Sequence, residues 1–257
     1  MPPLPHLTNR LALIGEWAAF AFQSLLATLR CVVKPNWWGR PFFDSLIGGL
    51  PLAIVAGLSV GVVVWVHTRG VLARTSPGAV EYLPTFLAAA VLLELAPIAA
   101  GLIVAARTGA SLGAELSAMK LGEQVDALEL IGVSPITRLV GPRVLACIMA
   151  TPLLHILVAL LAIGGGYLAE TIAGHTTWLR YRGAILSELR FDEVFLAALK
   201  TTVFGALVGI TGCFVGLRAD GGSEGVGLAA TRAVVASCLL VLMADVLLVG
   251  VIRLMTV

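Results

Sequence analysis

Residues 94–143 decide the fold of this chain: ELAPIAAGLIVAARTGASLGAELSAMKLGEQVDALELIGVSPITRLVGPR. The stretch begins in an apolar segment that carries one acid, Glu94, and then passes through a run rich in Gly, Ala and Ser. A charged segment at 120–129 follows, and Gly132 and Pro135 end it before apolar sequence resumes. This order predicts a short polar helix held between two membrane spans. A membrane subunit needs such an element if a soluble partner is to push on it.

The composition supports a membrane protein. Hydrophobic residues make up 59% of the chain and charged residues 12%, whereas an average soluble protein carries about 25% charge. The net charge of +2 leaves no basic footprint for a nucleic acid, and 257 residues predict a single domain, 1–257. The four cysteines form no Cys-x-x-Cys pair and the four histidines are scattered, so we expect no metal site.

Five apolar segments are long enough to cross about 30 Å of hydrocarbon, which predicts an all-α, polytopic membrane protein. The predicted transmembrane spans are 45–66, 83–106, 144–169, 194–217 and 233–252. Small residues four apart, such as Gly205 and Gly209, allow helices to approach closely.

Residues 10–34 have a helical stripe of apolar side chains interrupted by polar ones, which favours an amphipathic helix lying in the membrane interface. A transmembrane helix is the alternative, because the apolar run is nearly long enough to span. In the following residues, 34–41, Trp37 and Trp38 stand beside cationic side chains, which predicts an interfacial elbow.

The distribution of Lys and Arg indicates the orientation. With the interfacial helix and the N-terminus in the cytoplasm, ten of these residues fall on the cytoplasmic side and six on the other. This bias predicts a multi-pass protein of the inner membrane whose 107–143 loop is cytoplasmic and whose C-terminus is periplasmic.

The charged segment predicts a helix of two to three turns parallel to the membrane. Leu121, Val125 and Leu128 recur on one face, and Gly132 is a typical left-handed stop. Such a cytoplasmic coupling helix docks on the ATPase in ABC transporters, although an ordinary solvated loop helix fits the pattern as well. The candidate coupling residues are Glu123, Gln124, Val125, Asp126, Leu128, Glu129 and Gly132.

Four runs of this sequence resemble the MlaE/YrbE permeases, the membrane subunits of MCE-type ABC lipid transporters. They are ELAP at 94–97, the run from 101 to 146, LKTTVFG at 199–205, and ADGGSEGVGLAATRAVV at 219–235. The resemblance implies a homodimer, a separate cytoplasmic ABC ATPase, and an MCE-domain partner in the periplasm. The chain has no GxxxxGK[ST] phosphate loop, so we expect no catalytic residues and no cofactor in it, with ATP bound by the partner subunit. The sequence departs from many relatives at Leu93, where they carry Arg beside the acid.

Three ionisable residues fall within the predicted spans: Glu94, Lys200 and Asp245. Charges at this depth cost on the order of 3 kcal/mol each and are functional candidates. From the outer side, Glu94 lies roughly 16 Å deep and Lys200 roughly 9 Å deep, a gap that the lysine stem can bridge. We therefore predict that these two side chains line an outward-opening cavity for a lipid headgroup, although a buried ion pair that fixes helix packing is the alternative. For Asp245 we expect a packing role.

Apolar walls for acyl chains are expected from the first two spans, and the resemblance favours the neighbourhoods of Leu58 and Glu94. Leu58 and Leu92 are our candidates there. The function that follows is phospholipid transport, with maintenance of outer-membrane lipid asymmetry. Two alternatives remain: the permease of another ABC importer for a small solute, and a membrane scaffold without transport activity.

Overall fold

The computed structural model describes residues 5–75, 77–173, 177–188 and 190–256, and these are helical almost throughout, without a strand. The α-helices are α1 (Pro5–Cys31), α2 (Pro35–Thr75), α3 (Leu83–Ala90), α4 (Ala96–Val104), α5 (Ala110–Leu121), α6 (Gln124–Leu130), α7 (Gly141–Ile172), α8 (Trp178–Glu188), α9 (Phe191–Leu217) and α10 (Gly222–Thr256). A 3₁₀ segment, Pro77–Tyr82, precedes α3, and π-helical segments at Val91–Leu95, Ala105–Gly109 and Ile136–Val140 join α3 to α4, α4 to α5, and the loop to α7. The all-α membrane architecture predicted from the sequence is confirmed.

Six helical runs within the described residues are long and apolar enough to cross a membrane, by length and composition. Five of them contain the predicted spans and are longer than predicted. The second span continues without a break from Leu83 to Leu121, because its Gly- and Ala-rich half packs against α9 and α10 and stays helical. The last helix begins at Gly222 rather than at 233. The chain turns instead at Gly221 and Gly222, whose φ angles are +101° and +67°.

The sixth run is the apolar part of α1, Ala12–Cys31. Trp17 donates a hydrogen bond to the hydroxyl of Thr211 at 3.3 Å, and Phe20 packs on Phe214. Further along α1, Thr28 lies 3.5 Å from the carbonyl oxygen of Gly141. These partners lie at the C-terminal part of α9 and the first residue of α7, so α1 is joined to the end of the bundle that carries α6. This geometry favours a helix lying across that end, although α1 is also long enough to span.

The elbow predicted at 34–41 is shorter in the structure. Only residues 32–34 leave the helical conformation, and α2 starts at Pro35, since proline has a backbone angle suited to a first helical position. Trp37 lies between two cations, with Lys34 at 4.4 Å and Arg138 at 4.3 Å from its ring centroid. The indole thus joins the start of α2 to the π-helical segment that precedes α7.

Helix α7 is the centre of the bundle, with α2 and α9 packed closely on it. A Cβ at Gly61 would lie 1.9 Å from the carbonyl oxygen of Ala162, and a Cβ at Gly205 would lie 2.4 Å from that of Cys147. Both contacts are far below van der Waals distance, so only glycine permits these helix crossings. The role of Gly205 and Gly209 in close packing, predicted from their spacing, is confirmed.

At the opposite end of the bundle from α6, the segment between α7 and α9 contains the short helix α8. Tyr181 of α8 is fully buried and donates a hydrogen bond to the carbonyl oxygen of Ile163. Burial, followed by the nearby charge of Glu170, raises the pKa of the Tyr181 phenol. Glu170 itself accepts a hydrogen bond from the Trp65 indole at 2.7 Å and pairs with Arg69 at 2.9 Å, which fastens α2 to α7 at this end.

Candidate functional site

Glu94 lies on the π-helical segment Val91–Leu95, where the amide of Ala96 bonds to the carbonyl of Val91. Such single π turns are rare and are frequent at functional sites. Pro97 follows and has no N–H, so the carbonyls of Leu92 and Leu93 lose a normal backbone donor. The local sequence therefore places an acid beside main-chain acceptors that other helices can reach.

Side chains from two other helices bind these carbonyls. Lys200 of α9 donates to the carbonyl of Leu93 at 3.1 Å. On α7, Nε2 of His155 lies 3.1 Å from the carbonyl oxygen of Leu92. Because a carbonyl can only accept, Nε2 carries the hydrogen, and Nδ1 of this buried ring has no partner among the described residues.

Lys200 forms ion pairs with both Glu94 and Asp245, and these three side chains make up a charged triad. The Nζ of Lys200 donates to Glu94 at 2.8 Å and forms an ion pair with Asp245 of α10 at 2.9 Å, without good hydrogen-bond geometry in the second contact. The side chain of Lys200 is 2% exposed and that of Asp245 is 11% exposed, whereas that of Glu94 is 45% exposed. Two carboxylates around one ammonium leave a formal charge of −1 on the triad. Lys200 and Asp245 are therefore the buried part, and Glu94 is the member that meets the exterior.

The predicted contact between Glu94 and Lys200 is present, but the pairing of Asp245 with Lys200 was not predicted. Asp245 lies seven residues before position 252, the end of the predicted fifth span, and so roughly 10 Å deep. This depth matches the roughly 9 Å expected for Lys200 from the same side, and comparing the two would have suggested a pair. The sequence contains no signal that sets which faces of α9 and α10 meet.

A cavity of about 560 Å³ opens beside the triad. The cavity is lined by apolar side chains from α9 and α10 and by charged side chains. The charged ones include the ion pair of Arg190 with Asp192 at 2.9 Å. Its lining residues are Leu93, Glu94, Arg190, Asp192, Glu193, Leu196, Ala197, Lys200, Val249 and Ile252. This volume lies within the range of small-molecule pockets, and the mixed lining suits an amphipathic ligand.

Leu58 and Leu92, the other two candidates, do not line this cavity. The backbone of Leu58 packs against Gly165 of α7, where a Cβ would lie 2.8 Å from its carbonyl oxygen. The carbonyl oxygen of Leu92 meets His155 of α7. Leu93 lines the cavity instead, because the π turn shifts which residues of this helix face α9.

The polar helix predicted from the charged segment 120–129 is present as α6, two turns long. It starts after Glu123, which has a left-handed φ of 56°, and Gly132, where φ is +76°, follows its end at Leu130. The amide of Gly132 bonds to the carbonyl of Glu129 and that of Val133 to the carbonyl of Leu128, both at 2.9 Å. This pair of bonds is a Schellman motif, so the predicted glycine stop is confirmed.

Most of the candidate coupling residues are exposed on α6. Val125 is buried and Leu128 half-buried, while the polar members Glu123, Gln124, Asp126 and Glu129 are exposed. Leu130 and Ile131 were not among the candidates, yet they are 88% and 72% exposed. Their positions next to the glycine stop could have identified them, because a helix end that presents bare apolar side chains needs a partner.

Ion pairs join α5, the helix before α6, to two other elements. Lys120, near the end of α5, pairs with Asp220 in the turn between α9 and α10 at 3.1 Å. Arg143, near the start of α7, pairs with Glu115 of α5 at 2.6 Å and donates to the carbonyl of Leu139 at 2.8 Å. Helix α6 packs on α5, and these ion pairs join α5 to the start of α7 and to the turn before α10.

Comparison with known proteins gives a consistent set of similarities. Residues 40–251 match the family model of "Permease MlaE". A probable ABC transporter permease protein of Rickettsia typhi is 33% identical over 244 residues, covering 91% of this chain and 90% of the relative, and one of Rickettsia prowazekii is 32% identical over the same shares. The chloroplastic protein Trigalactosyldiacylglycerol 1 of Arabidopsis thaliana is 34% identical over 163 residues, which cover 63% of this chain and 46% of that protein.

Proposed function

Since this chain belongs to the MlaE permease family, we propose that it carries phospholipids between the inner membrane and a periplasmic MCE-domain partner. The chain is a permease subunit of an ABC transporter, and ATP hydrolysis belongs to a separate subunit. The lipid substrate and the MCE-domain partner are the parts that we add. Maintenance of outer-membrane lipid asymmetry is the role that such transport would serve.

The observation that carries the lipid substrate is the cavity beside the triad. Its polar groups, above all Glu94, can bind a headgroup, while Leu93, Leu196 and Val249 offer apolar surface to the first part of an acyl chain. The name of the Arabidopsis relative is that of a galactolipid, which fits a substrate of this chemistry. The charge of −1 on the triad favours a headgroup that brings a cation or hydroxyl donors.

The coupling step is proposed to run through α6. Its exposed end, Leu130 and Ile131, would insert into an apolar groove of the ATPase, with Glu129 and Asp126 at the polar rim. Each dimer would bind two ATPase copies, one at each α6. In this arrangement α6, α1 and the N-terminus face the cytoplasm, and α8 and the C-terminus face the periplasm, as the distribution of Lys and Arg favours.

A homodimer is proposed because, among the residues that the structure describes, α10 leaves a broad apolar face exposed. Only 17% of its apolar window is buried, against 50% for α9 and 56% for the window of α7. Lipid would cover part of this face, and a second copy of the chain would cover the rest near Val249 at the cavity mouth.

Co-purification from the native membrane tests this function. The tagged chain is solubilised gently, and the proteins and lipids that remain bound are identified by mass spectrometry. An ATPase, an MCE-domain protein and phospholipid are expected. An ATPase with a solute-binding protein would indicate the permease of a small-solute importer instead, and no ATPase in an assembled sample would leave only a scaffold.

A transfer assay tests the cavity itself. Glu94→Gln removes the cavity-facing charge while retaining an acceptor for Lys200, so we expect normal assembly with ATPase and partner but strongly reduced phospholipid transfer between vesicles. Glu224→Gln is the matched control, because Glu224 is exposed near the start of α10, far from the triad. Equal transfer by both variants would contradict a role for Glu94 in substrate binding.

A further inference from the structure

A second cavity, of about 760 Å³, lies at the α6 end of the bundle, between the start of α2, the π-helical segment Ala105–Gly109 with α5, and the start of α7. From these elements, three arginines line it: Arg40, Arg107 and Arg143. The acids on its wall are Asp44 and Glu115. These residues lie at the opposite end of the helices from the cavity beside the triad, which is called the transfer cavity here. None of them has a role in the proposed lipid transfer.

The charges in this second cavity do not cancel. Glu115 forms an ion pair with Arg143, whose Nη2 lies 2.6 Å from the Glu115 carboxylate. Among the residues that the structure describes, Arg40, Arg107 and Asp44 have no ion-pair partner within 4 Å. Two free guanidinium groups against one free carboxylate leave a net positive charge of +1 that can bind an anion.

Arg107 is held in place by two features of its surroundings. It lies on a π-helical segment, and its stem crosses Gly48 of α2, where a Cβ would lie 3.3 Å from Nε of Arg107. Because Gly48 has no side chain, there is space beside it for the Arg107 guanidinium. Structure that positions an unpaired arginine at a cavity is typical of sites that bind carboxylate or phosphate.

The wall of the same cavity carries an unused hydroxyl. Thr108 is only 6% exposed, and its Oγ1 has no hydrogen-bond partner within the described part of the chain. Buried hydroxyl groups are normally satisfied, so each unsatisfied one needs an explanation. A ligand that brings acceptor oxygens to this wall would supply the missing partner.

The depth of the cavity identifies the source of the anion. Arg107 stands 24 residues after Leu83 in a continuous helical run, which is roughly 36 Å and exceeds the hydrocarbon thickness of about 30 Å. Trp37, clamped between Lys34 and Arg138, marks a headgroup-level aromatic at the same end. The cavity is therefore level with the phosphates of the leaflet at the α6 end.

We propose that this cavity binds the phosphate diester of one phospholipid headgroup in that leaflet, with Arg107 and Arg40 on the phosphate oxygens. Such a site would hold a lipid at the end of the permease opposite to the transfer cavity. It does not depend on the proposed transfer, because the two cavities share no lining residue and this site is argued from its own charges and depth.

Photolabelling of the full-length chain in nanodiscs tests the site. The probe is a phosphatidylglycerol analogue with a diazirine on its headgroup, and labelled peptides are mapped by mass spectrometry. We expect labels in residues 40–48 and 107–115 that excess unlabelled phosphatidylglycerol removes and excess inorganic phosphate does not. Equal competition by inorganic phosphate, or no label in these peptides, would overturn the assignment.

Two pairs of variants make the test specific. Arg107→Gln is expected to lower labelling of these peptides by about tenfold, since a charge-assisted bond is lost, whereas Arg74→Gln, an exposed arginine at the other end of α2, should leave it unchanged. Gly48→Ala keeps every charge but displaces the Arg107 stem, so it should also weaken labelling, and Gly39→Ala, with open space around it, should not. Wild-type labelling in Arg107→Gln would overturn the proposal.

Labels in residues 190–200 report separately on the transfer cavity. If they appear while 40–48 and 107–115 stay unlabelled, the second site fails and the proposed function stands. If only 40–48 and 107–115 are labelled, the second site is supported and the lipid cavity of the proposed function is contradicted.

Discussion

Lys200 donates a hydrogen bond to the main-chain carbonyl of Leu93, the acceptor that an α-helix would pair with residue 97, where proline has no N–H. The same ammonium binds the carboxylate of Glu94. Because Pro97 cannot donate to it, the Leu93 carbonyl of the second span is available to bind Lys200 of the fourth span. The ion pair and the helix irregularity are one feature, in which a broken backbone ladder is repaired by side chains from neighbouring helices.

Within the triad, we expect Lys200 and Asp245 to stabilise the fold and Glu94 to act in lipid transfer. Lys200→Met leaves Glu94 and Asp245 without their cation, and loss of one member of a buried ion pair costs roughly 3–5 kcal/mol. We expect a lower unfolding temperature in detergent and less assembled protein on size-exclusion chromatography. Combining Lys200→Met with Asp245→Leu should recover most of the loss, since the second buried charge is then removed.

A Lys200→Met variant as stable as the wild type would mean that the buried pair does not fix the packing of α9 and α10. The Glu94→Gln variant described above serves as the comparison, because its half-exposed side chain should matter for transfer and little for stability.

His155 should stabilise the π turn through its bond to the carbonyl of Leu92. His155→Ala leaves that carbonyl without its side-chain donor, and an unsatisfied buried group costs about 1–3 kcal/mol. Hydrogen exchange measured by mass spectrometry should then speed up in residues 91–97. His155→Gln retains an N–H donor and should exchange close to the wild-type rate, while equal protection in all three proteins would show that the bond is dispensable.

The crossing of α2 and α7 should depend on Gly61. Gly61→Ala places a methyl group against the carbonyl of Ala162, and such overpacking costs about 3 kcal/mol or more where the backbone must move. Thermal unfolding of the purified protein measures this loss. Gly70→Ala on the same helix meets open space and is the control; equal stability of the two variants would contradict the close approach of the helices.

The end of α6 should depend on the left-handed conformation of Gly132. Gly132→Ala costs roughly 1–2 kcal/mol at that position, so the Schellman motif frays and the exposed apolar pair next to it loses its placement. We expect less ATPase to co-purify, with unchanged thermal stability of the spans. Gly122→Ala is the control, because its φ is negative and an added Cβ makes only ordinary contact; a similar loss of ATPase in both would argue against a specific role for the stop.

The sequence alone determined the class of the protein and most of its local features. Apolar runs of membrane length predicted the helices, and Gly132 with Pro135 predicted the end of the polar helix. These features depend on periodicity and backbone geometry, which neighbouring residues set. Element ends were less well predicted: α5 and the start of α10 extend past the predicted spans because they pack on other helices, which hydropathy does not register.

The tertiary structure alone decided which side chains meet. Glu94 and Lys200 were paired from depth, but only the rotation of α10 brings Asp245 to the same ammonium, and only the π turn at Val91–Leu95 places Leu93 rather than Leu92 on the cavity. The free Arg107 beside Gly48 likewise depends on how α2 crosses the second span. Depth along a helix follows from counting residues, whereas the direction a side chain faces depends on packing between segments far apart in the chain.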